Sequence, residues 1–261
     1  MLDNSEEVVP DRVRPSVLVI PGGGYEMTSD REAEPIATQF LAAGFNAFVL
    51  RYSVKPSVFP VALLEAADAM TMIREHAAEW HVDPDAIAVI GFSAGGHLAA
   101  NLATSTSDDV LVAHGYDPDA VRPNGLMLAY PVITSGPLAH RGSFDSLLGE
   151  RRNDSQALES VSIERHIDAK TPPVFAWHTV PDETVPYENT LMLIDACKKA
   201  GVSIEAHLFP QGGHGLSLGT AETAWQASTA LNRVSRSGRS WLSLGCAERS
   251  HDNQRSRRRD I

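Results

Sequence analysis

Ala86-Ile87-Ala88-Val89-Ile90-Gly91-Phe92-Ser93-Ala94-Gly95-Gly96-His97-Leu98-Ala99-Ala100 is the stretch on which the reading of this chain turns. Its first five residues form a short apolar run that ends at a glycine, the pattern of a strand buried on both faces. From Ala94 to Thr104 the small and straight-chained residues favour a helix. Between the two, Gly91 to Gly95 fits G-x-S-x-G. A strand that becomes a helix across so tight a turn leaves no room for a side chain at either glycine. It also strains Ser93 and lifts its hydroxyl above the sheet. The start of the following helix offers backbone N–H groups without intrahelical partners. The plain alternative is a glycine-rich turn with a serine N-cap. The placement between strand and helix favours Ser93 as a nucleophile.

Outward from this point the same alternation repeats. Ser16 to Ile20 reads as a strand stopped by Pro21 and three glycines, Glu32 to Ala43 as a helix ended by Gly44, and Phe45 to Tyr52 as a strand. Pro60 to Trp80 is a long helical pattern with Leu64, Ala67, Met70, Ile73 and Ala77 near helical spacing. Gly125 to Tyr130 and Val174 to His178 are strands, Tyr187 to Ala200 is a helix stopped by Gly201, and Ile204 to Phe209 is a sixth strand. Strands alternating with helices imply an α/β fold with a mostly parallel central sheet and helices on both faces. One domain over 1–232 is expected. The polar stretch 105–124 reads as a surface excursion. The long stretch 133–171 has no clear strand and reads as a lid or pocket wall above the sheet. Residues 220–231 suit a closing helix. From Arg233 onward eight arginines face three acids and no lysine, so 233–261 is expected to be a basic, disordered tail.

Composition bounds the possibilities. A chain of 261 residues, 43% hydrophobic and 21% charged, is long enough for one well-buried α/β domain. Its net charge of -11 disfavours general nucleic-acid binding. Two cysteines, Cys197 and Cys246, make neither a disulfide framework nor a zinc pattern and read as free thiols. The acidic start, MLDNSEEVVPDRVRP, does not read as a signal peptide, and no run of 18 apolar residues suggests a membrane span. A cytoplasmic location without a membrane partner is therefore expected.

A serine hydroxyl needs a base. His214 stands in Gln211-Gly212-Gly213-His214-Gly215, just past the last strand, where glycines let a short loop carry an imidazole over the sheet edge. His97 reads as a helix residue and His178 as a strand-end residue near the site. The base in turn needs an acid to hold its tautomer. Asp182 follows the strand VFAWH on the loop before a helix, with Glu183 as the neighbouring rival. The order Ser, Asp, His suits this architecture. Gly23 and Gly24 of Pro21-Gly22-Gly23-Gly24-Tyr25, with the N–H of Ala94, are candidates for an oxyanion hole. The glycine run lacks the Lys-Ser/Thr of a phosphate loop and does not complete G-x-G-x-x-G. No H-E-x-x-H or other metal signature occurs, and no metal or cofactor is expected. Tyr25, Phe92, Ser143 and Phe144 are expected to crowd the acyl side and to favour short acyl chains.

PGGGY, REAEPIATQFLAAGFNAFVLRYSV, GFSAGGHLAA, HTVPDETVPYENT and FPQGGHG together resemble the acetyl-xylan-esterase and feruloyl-esterase-like α/β hydrolases, over roughly Pro15 to Leu231. The resemblance implies the α/β-hydrolase fold and hydrolysis of carboxylic esters, with small acyl groups on carbohydrate as substrate. It carries the nucleophile to Ser93, the acid to Asp182, the base to His214 and the oxyanion hole to PGGGY and Ala94. The resembled group usually has further strand sequence before the first strand found here, and the tail after Leu231 does not match it. Two other readings share parts of the pattern. A prolyl-oligopeptidase-type peptidase shares the turn and the residue order but usually carries a large propeller, for which this chain has no room. A non-catalytic binding protein of the same fold commonly lacks one of the three residues, and all three are present here. A small-molecule or oligosaccharide ester is the expected partner, and the sequence is silent on oligomeric state.

Overall fold

A computed structural model describes residues 12–220 and Thr223. The expected closing helix, the basic tail and Cys246 lie outside the described residues. Six strands form one sheet: β1 (Arg14–Ile20), β2 (Asn46–Val49), β3 (Val82–Phe92), β4 (Gly125–Ala129), β5 (Val174–Thr179) and β6 (Ile204–Phe209). Their order is β2-β1-β3-β4-β5-β6 and every neighbouring pair is parallel. Parallel neighbours need crossovers, which are supplied by α1 (Glu34–Ala42), α2 (Val61–Glu75), α3 (Ser93–Ala103) and α8 (Glu188–Ala200) among others.

Successive residues of β1 serve different layers, as a two-residue period requires. Leu18 and Ile20 join Leu63, Met70 and Leu98 from α2 and α3, with Leu193 and Cys197 from α8. Val17 and Val19 join Ile36 and Phe40 from α1 on the opposite face. Burying each such aliphatic side chain stabilises the fold by about 1.5–3 kcal/mol. The chain winds one way from β1 to β2 and the other way from β3 onward. The C-terminal ends of β1 and β3 therefore flank a topological switch point, where open α/β sheets leave a crevice.

The two stretches without strands differ from their sequence reading in detail. Within 105–124 lie two short helices, α4 (Asp108–Ala113) and α5 (Pro118–Val121). Arg122, 7% exposed, donates to both carboxylate oxygens of Asp108 at 3.0 Å and ties them together. Helices of one or two turns carry too little periodicity to be read from sequence. The stretch 133–171 holds α6 (Arg141–Leu148) and α7 (Ser155–Ser160). It is anchored into the main core through Phe144, Leu147, Val161 and Ile163. Asn189 of α8 secures its start, accepting the N–H groups of Ile133 and Thr134 at 2.9 and 3.1 Å.

Candidate active site

Gly91 and Gly95 are required by close approach. A β-carbon on Gly91 would lie 2.4 Å from the Gly95 carbonyl oxygen and 2.7 Å from the Ala99 methyl. One on Gly95 would lie 2.2 Å from the Pro21 carbonyl oxygen and 2.3 Å from that of Ile20. Helix α3 is thus pressed against the ends of both β3 and β1. Ser93, at the turn, has φ 52°, a left-handed conformation that a non-glycine residue adopts at a cost of about 1–3 kcal/mol.

Three loops at the C-terminal edge of the sheet converge there. His214 Nε2 lies 2.8 Å from Ser93 Oγ, and His214 Nδ1 lies 2.7 Å from Asp182 Oδ2. A carboxylate only accepts, so Nδ1 donates to Asp182 and Nε2 is left to accept from the serine hydroxyl. Asp182 is 5% exposed. Its Oδ1 accepts the N–H groups of Thr184 and Val185, both at 2.9 Å. Burial pushes its acidity toward the neutral form. Donated bonds from His178, His214 and Val185, with the His214 ring charge, outweigh that and hold the carboxyl below the usual range. Glu183 is exposed and points its charge to solvent.

His178 is fully buried behind Asp182 rather than lining an open site. Its Nε2 donates to Val185 O at 2.9 Å and approaches Asp182 Oδ2 at 3.2 Å, while Nδ1 lies 2.8 Å from Thr190 Oγ1. Sequence reasoning missed this supporting role, although the i, i+4 spacing of His178 and Asp182 was available as a signal.

The glycine run after β1 curls at the switch point, with φ 130° at Gly23 and 66° at Gly24. Gly22 donates its N–H to Glu32 Oε2 at 2.9 Å. Among the described residues no partner takes the N–H of Gly23 or Gly24. Tyr25 offers almost no free surface. It is 3% exposed, and its hydroxyl lies 2.8 Å from His97 Nδ1. His97 is fully buried and its Nε2 donates to Val161 O at 2.7 Å. Burial drives its pKa down to about 4, against a smaller opposing effect of the Val161 carbonyl, so the ring is neutral near pH 7. His97 therefore ties the glycine run to α3 and to the 133–171 stretch.

Phe92 and Phe144 are core residues, 2% and 1% exposed. Phe92 packs beside Tyr130, and Phe144 meets His97 edge-on. Ser143 is 1% exposed, with its hydroxyl 2.8 Å from His140 Nδ1. None of these three offers free surface to a ligand. From the same stretch, half-buried His140 does reach the site. Burial and then the neighbouring His214 ring push its pKa down, while the Asp182 charge opposes them. Nothing in the local sequence singles His140 out. Among the described residues no cluster of His, Cys, Asp and Glu suits a metal ion, and no helix is long and apolar enough to cross a membrane. Cys197 is a free, buried thiol.

A parallel sheet ordered 2-1-3-4-5-6, a strained serine at the β3–α3 turn, and an acid and a histidine after β5 and β6 define an α/β hydrolase. More narrowly, the chain belongs to the BD-FAE family, whose profile matches residues 8–196. It is similar to Endo-1,4-beta-xylanase B of Butyrivibrio fibrisolvens, 35% identical over 216 residues that cover 81% of this chain and 34% of that protein. It is also similar to the Acetylxylan esterase of Xylanibacter ruminicola, 28% identical over 78% of this chain and 42% of that protein. The chain thus spans between a third and a half of the length of these two relatives. Among solved structures, the acetyl ester-xyloside bifunctional hydrolase from Caldicellulosiruptor lactoaceticus superposes with a TM-score of 0.79 at 36% identity. That match covers 94% of this chain and 86% of that one.

Proposed function

We propose that the protein is a serine-dependent carboxylic ester hydrolase that removes small acyl groups, acetyl foremost, from carbohydrate esters. The observation that carries this reading is the continuous chain from Ser93 Oγ through the His214 ring to a buried Asp182, with links of 2.8 and 2.7 Å. His214 Nε2 takes the serine proton as Oγ attacks the acyl carbon. The negative charge that develops on the carbonyl oxygen is met by the N–H groups of Gly23, Gly24 and Ala94, each typically worth about 3–4 kcal/mol in such a transition state. Asp182 holds the ring tautomer and stabilises the imidazolium. The sugar alcohol departs with the proton from Nε2. Water, deprotonated at the same nitrogen, then releases the acid and restores Ser93.

The preference for a small acyl group rests on the acetyl-ester activity named for two relatives, since Phe92, Ser143 and Phe144 are buried and cannot crowd an acyl chain. Ser93→Ala tests the core of the reading. Its turnover of p-nitrophenyl acetate should fall by about 10⁶ with the melting temperature unchanged, and labelling by diisopropyl fluorophosphate should disappear. Residual turnover above a few per cent would overturn it.

A further inference from the structure

The reaction outlined above leaves one buried acid without a task. Glu32 closes a short 3₁₀ turn (Asp30–Glu32) ahead of α1 and is 3% exposed. Among the described residues it forms no ion pair. Burying a carboxyl group without a cation is costly. Burial does push its pKa up, against hydrogen bonds from Tyr130 and Gly22 and the nearby His214 and Arg31 charges.

Each carboxyl oxygen leads to a different part of the site. Oε2 accepts the Gly22 N–H at 2.9 Å, at the head of the run that supplies the oxyanion donors. Oε1 accepts the Tyr130 hydroxyl at 2.6 Å. That hydroxyl in turn accepts the Ser217 N–H at 2.8 Å, three residues past His214. The Tyr130 ring stands edge-on to the His214 ring at 5.0 Å. Tyr130 itself has φ 39°, so the chain after β4 bends to place this ring. A single carboxyl group thus bridges the loops that follow β1, β4 and β6.

We propose that Glu32 is a positioning residue that holds the oxyanion loop and the His214 loop in mutual register through its two carboxyl oxygens, an inference that rests on the esterase reading. Glu32 meets the first loop directly at Gly22 and the second through the Tyr130 hydroxyl at Ser217, beside the direct bonds that its neighbour Arg31 makes to Gly215 and Ser217. The two loops must agree to a fraction of an ångström, because the proton leaves Ser93 as charge arrives at the oxyanion donors. Such an effect falls on the transition state and spares ground-state binding of a small ester. The titratable groups around Glu32 are Tyr130, Tyr52, Arg31 and His214.

Glu32→Gln, Tyr130→Phe and the double variant test this with p-nitrophenyl acetate. Each single variant should lose about 10- to 100-fold in kcat with KM within about twofold. The double variant should be no worse than the poorer single one, since one network is cut twice. The melting temperature of Glu32→Gln should fall only modestly, because one of the two accepted bonds is lost while the other is kept. Tyr130→Phe keeps the test decisive if Glu32→Gln fails to fold. Single variants with kcat within twofold of wild type, or losses that multiply in the double variant, would overturn the proposal alone. A wild-type protein that neither hydrolyses esters nor takes up a fluorophosphonate at Ser93 would overturn the esterase reading and this proposal with it.

Discussion

The β3–α3 turn and the His214 loop deliver the two ends of one hydrogen bond, between Ser93 Oγ and His214 Nε2, yet they are built by different means. The turn is held by exclusion: Gly91 and Gly95 sit where any β-carbon would penetrate backbone, and Ser93 is forced to φ 52°. Its restraints lie within a few residues or on the adjoining end of β1. The His214 loop is held by bonds from afar. Thr179 Oγ1 donates to Gly213 O at 3.2 Å and Arg31 Nη1 to Gly215 O at 2.8 Å. The Ser217 hydroxyl donates to Arg31 O at 2.5 Å. Exclusion is nearly all-or-none, whereas a set of hydrogen bonds degrades by degrees. The position of Ser93 should therefore be brittle and that of His214 adjustable.

The largest effect expected within this comparison is at the acid that anchors the His214 ring. Asp182→Asn should lower kcat by about 10⁴ through loss of the correct tautomer. Glu183→Gln, on an exposed side chain, should leave it within twofold. Steady-state kinetics on p-nitrophenyl acetate separates them, and a reversed order would move the acid to Glu183.

Brittleness of the turn is measured by paired glycine variants. Gly95→Ala drives a β-carbon against the Pro21 carbonyl and should cost about 3 kcal/mol or more. Gly24→Ala meets open space and suffers only its φ of +66°, about 1–2 kcal/mol. Urea denaturation midpoints of the two proteins compare them directly, and equal losses would contradict steric exclusion at the turn.

Acid should loosen the turn from the His97 side. The folded-state pKa of about 4 lies below the reference of about 6.5, so the unfolded chain binds the proton more readily. The contribution of neutral His97 is complete above pH ~6.5 and is lost as pH falls toward 4, about 3 kcal/mol over the window. Depression of the Asp182 pKa acts in the same sense but further into acid. Denaturant unfolding of wild type and His97→Gln between pH 7 and pH 4 should show a shallower acid decline in the variant. Parallel declines would remove His97 as the cause.

A loss far smaller than that of Asp182→Asn is expected at one strand of the His214 net. Arg31→Leu removes the donor to Gly215 O, and the remaining bonds from Thr179 and Tyr130 should limit the loss in kcat to about tenfold. A loss as deep as that of Asp182→Asn would show that the loop is as brittle as the turn.

Read along the chain, local signals reach far in this protein. Short apolar runs, glycine stops and helical spacing mark the six strands and the crossover helices, because each depends on neighbours within a few residues. The same holds for the strained Ser93 turn, whose glycines lie two residues to either side of it, and for the placing of His214 and Asp182 on loops that follow strands. The strand order, with β1 lodged between β2 and β3, was not legible, since pairing joins backbones that no local pattern relates. Nor was the fate of individual side chains. Glu32 opens the helical pattern read from Glu32 to Ala43, and nothing beside it marks its burial, yet it bonds a tyrosine 98 residues away. Phe92 and Phe144 read as candidate pocket walls beside the site, but the packed layers claim both. His97 reads as a helix residue and His178 as a strand-end residue lining the site, until burial leaves each ring only particular partners. Sequence determines which local conformations are cheap. Which distant groups share a water-free space, and so must satisfy one another, is decided only when the layers close.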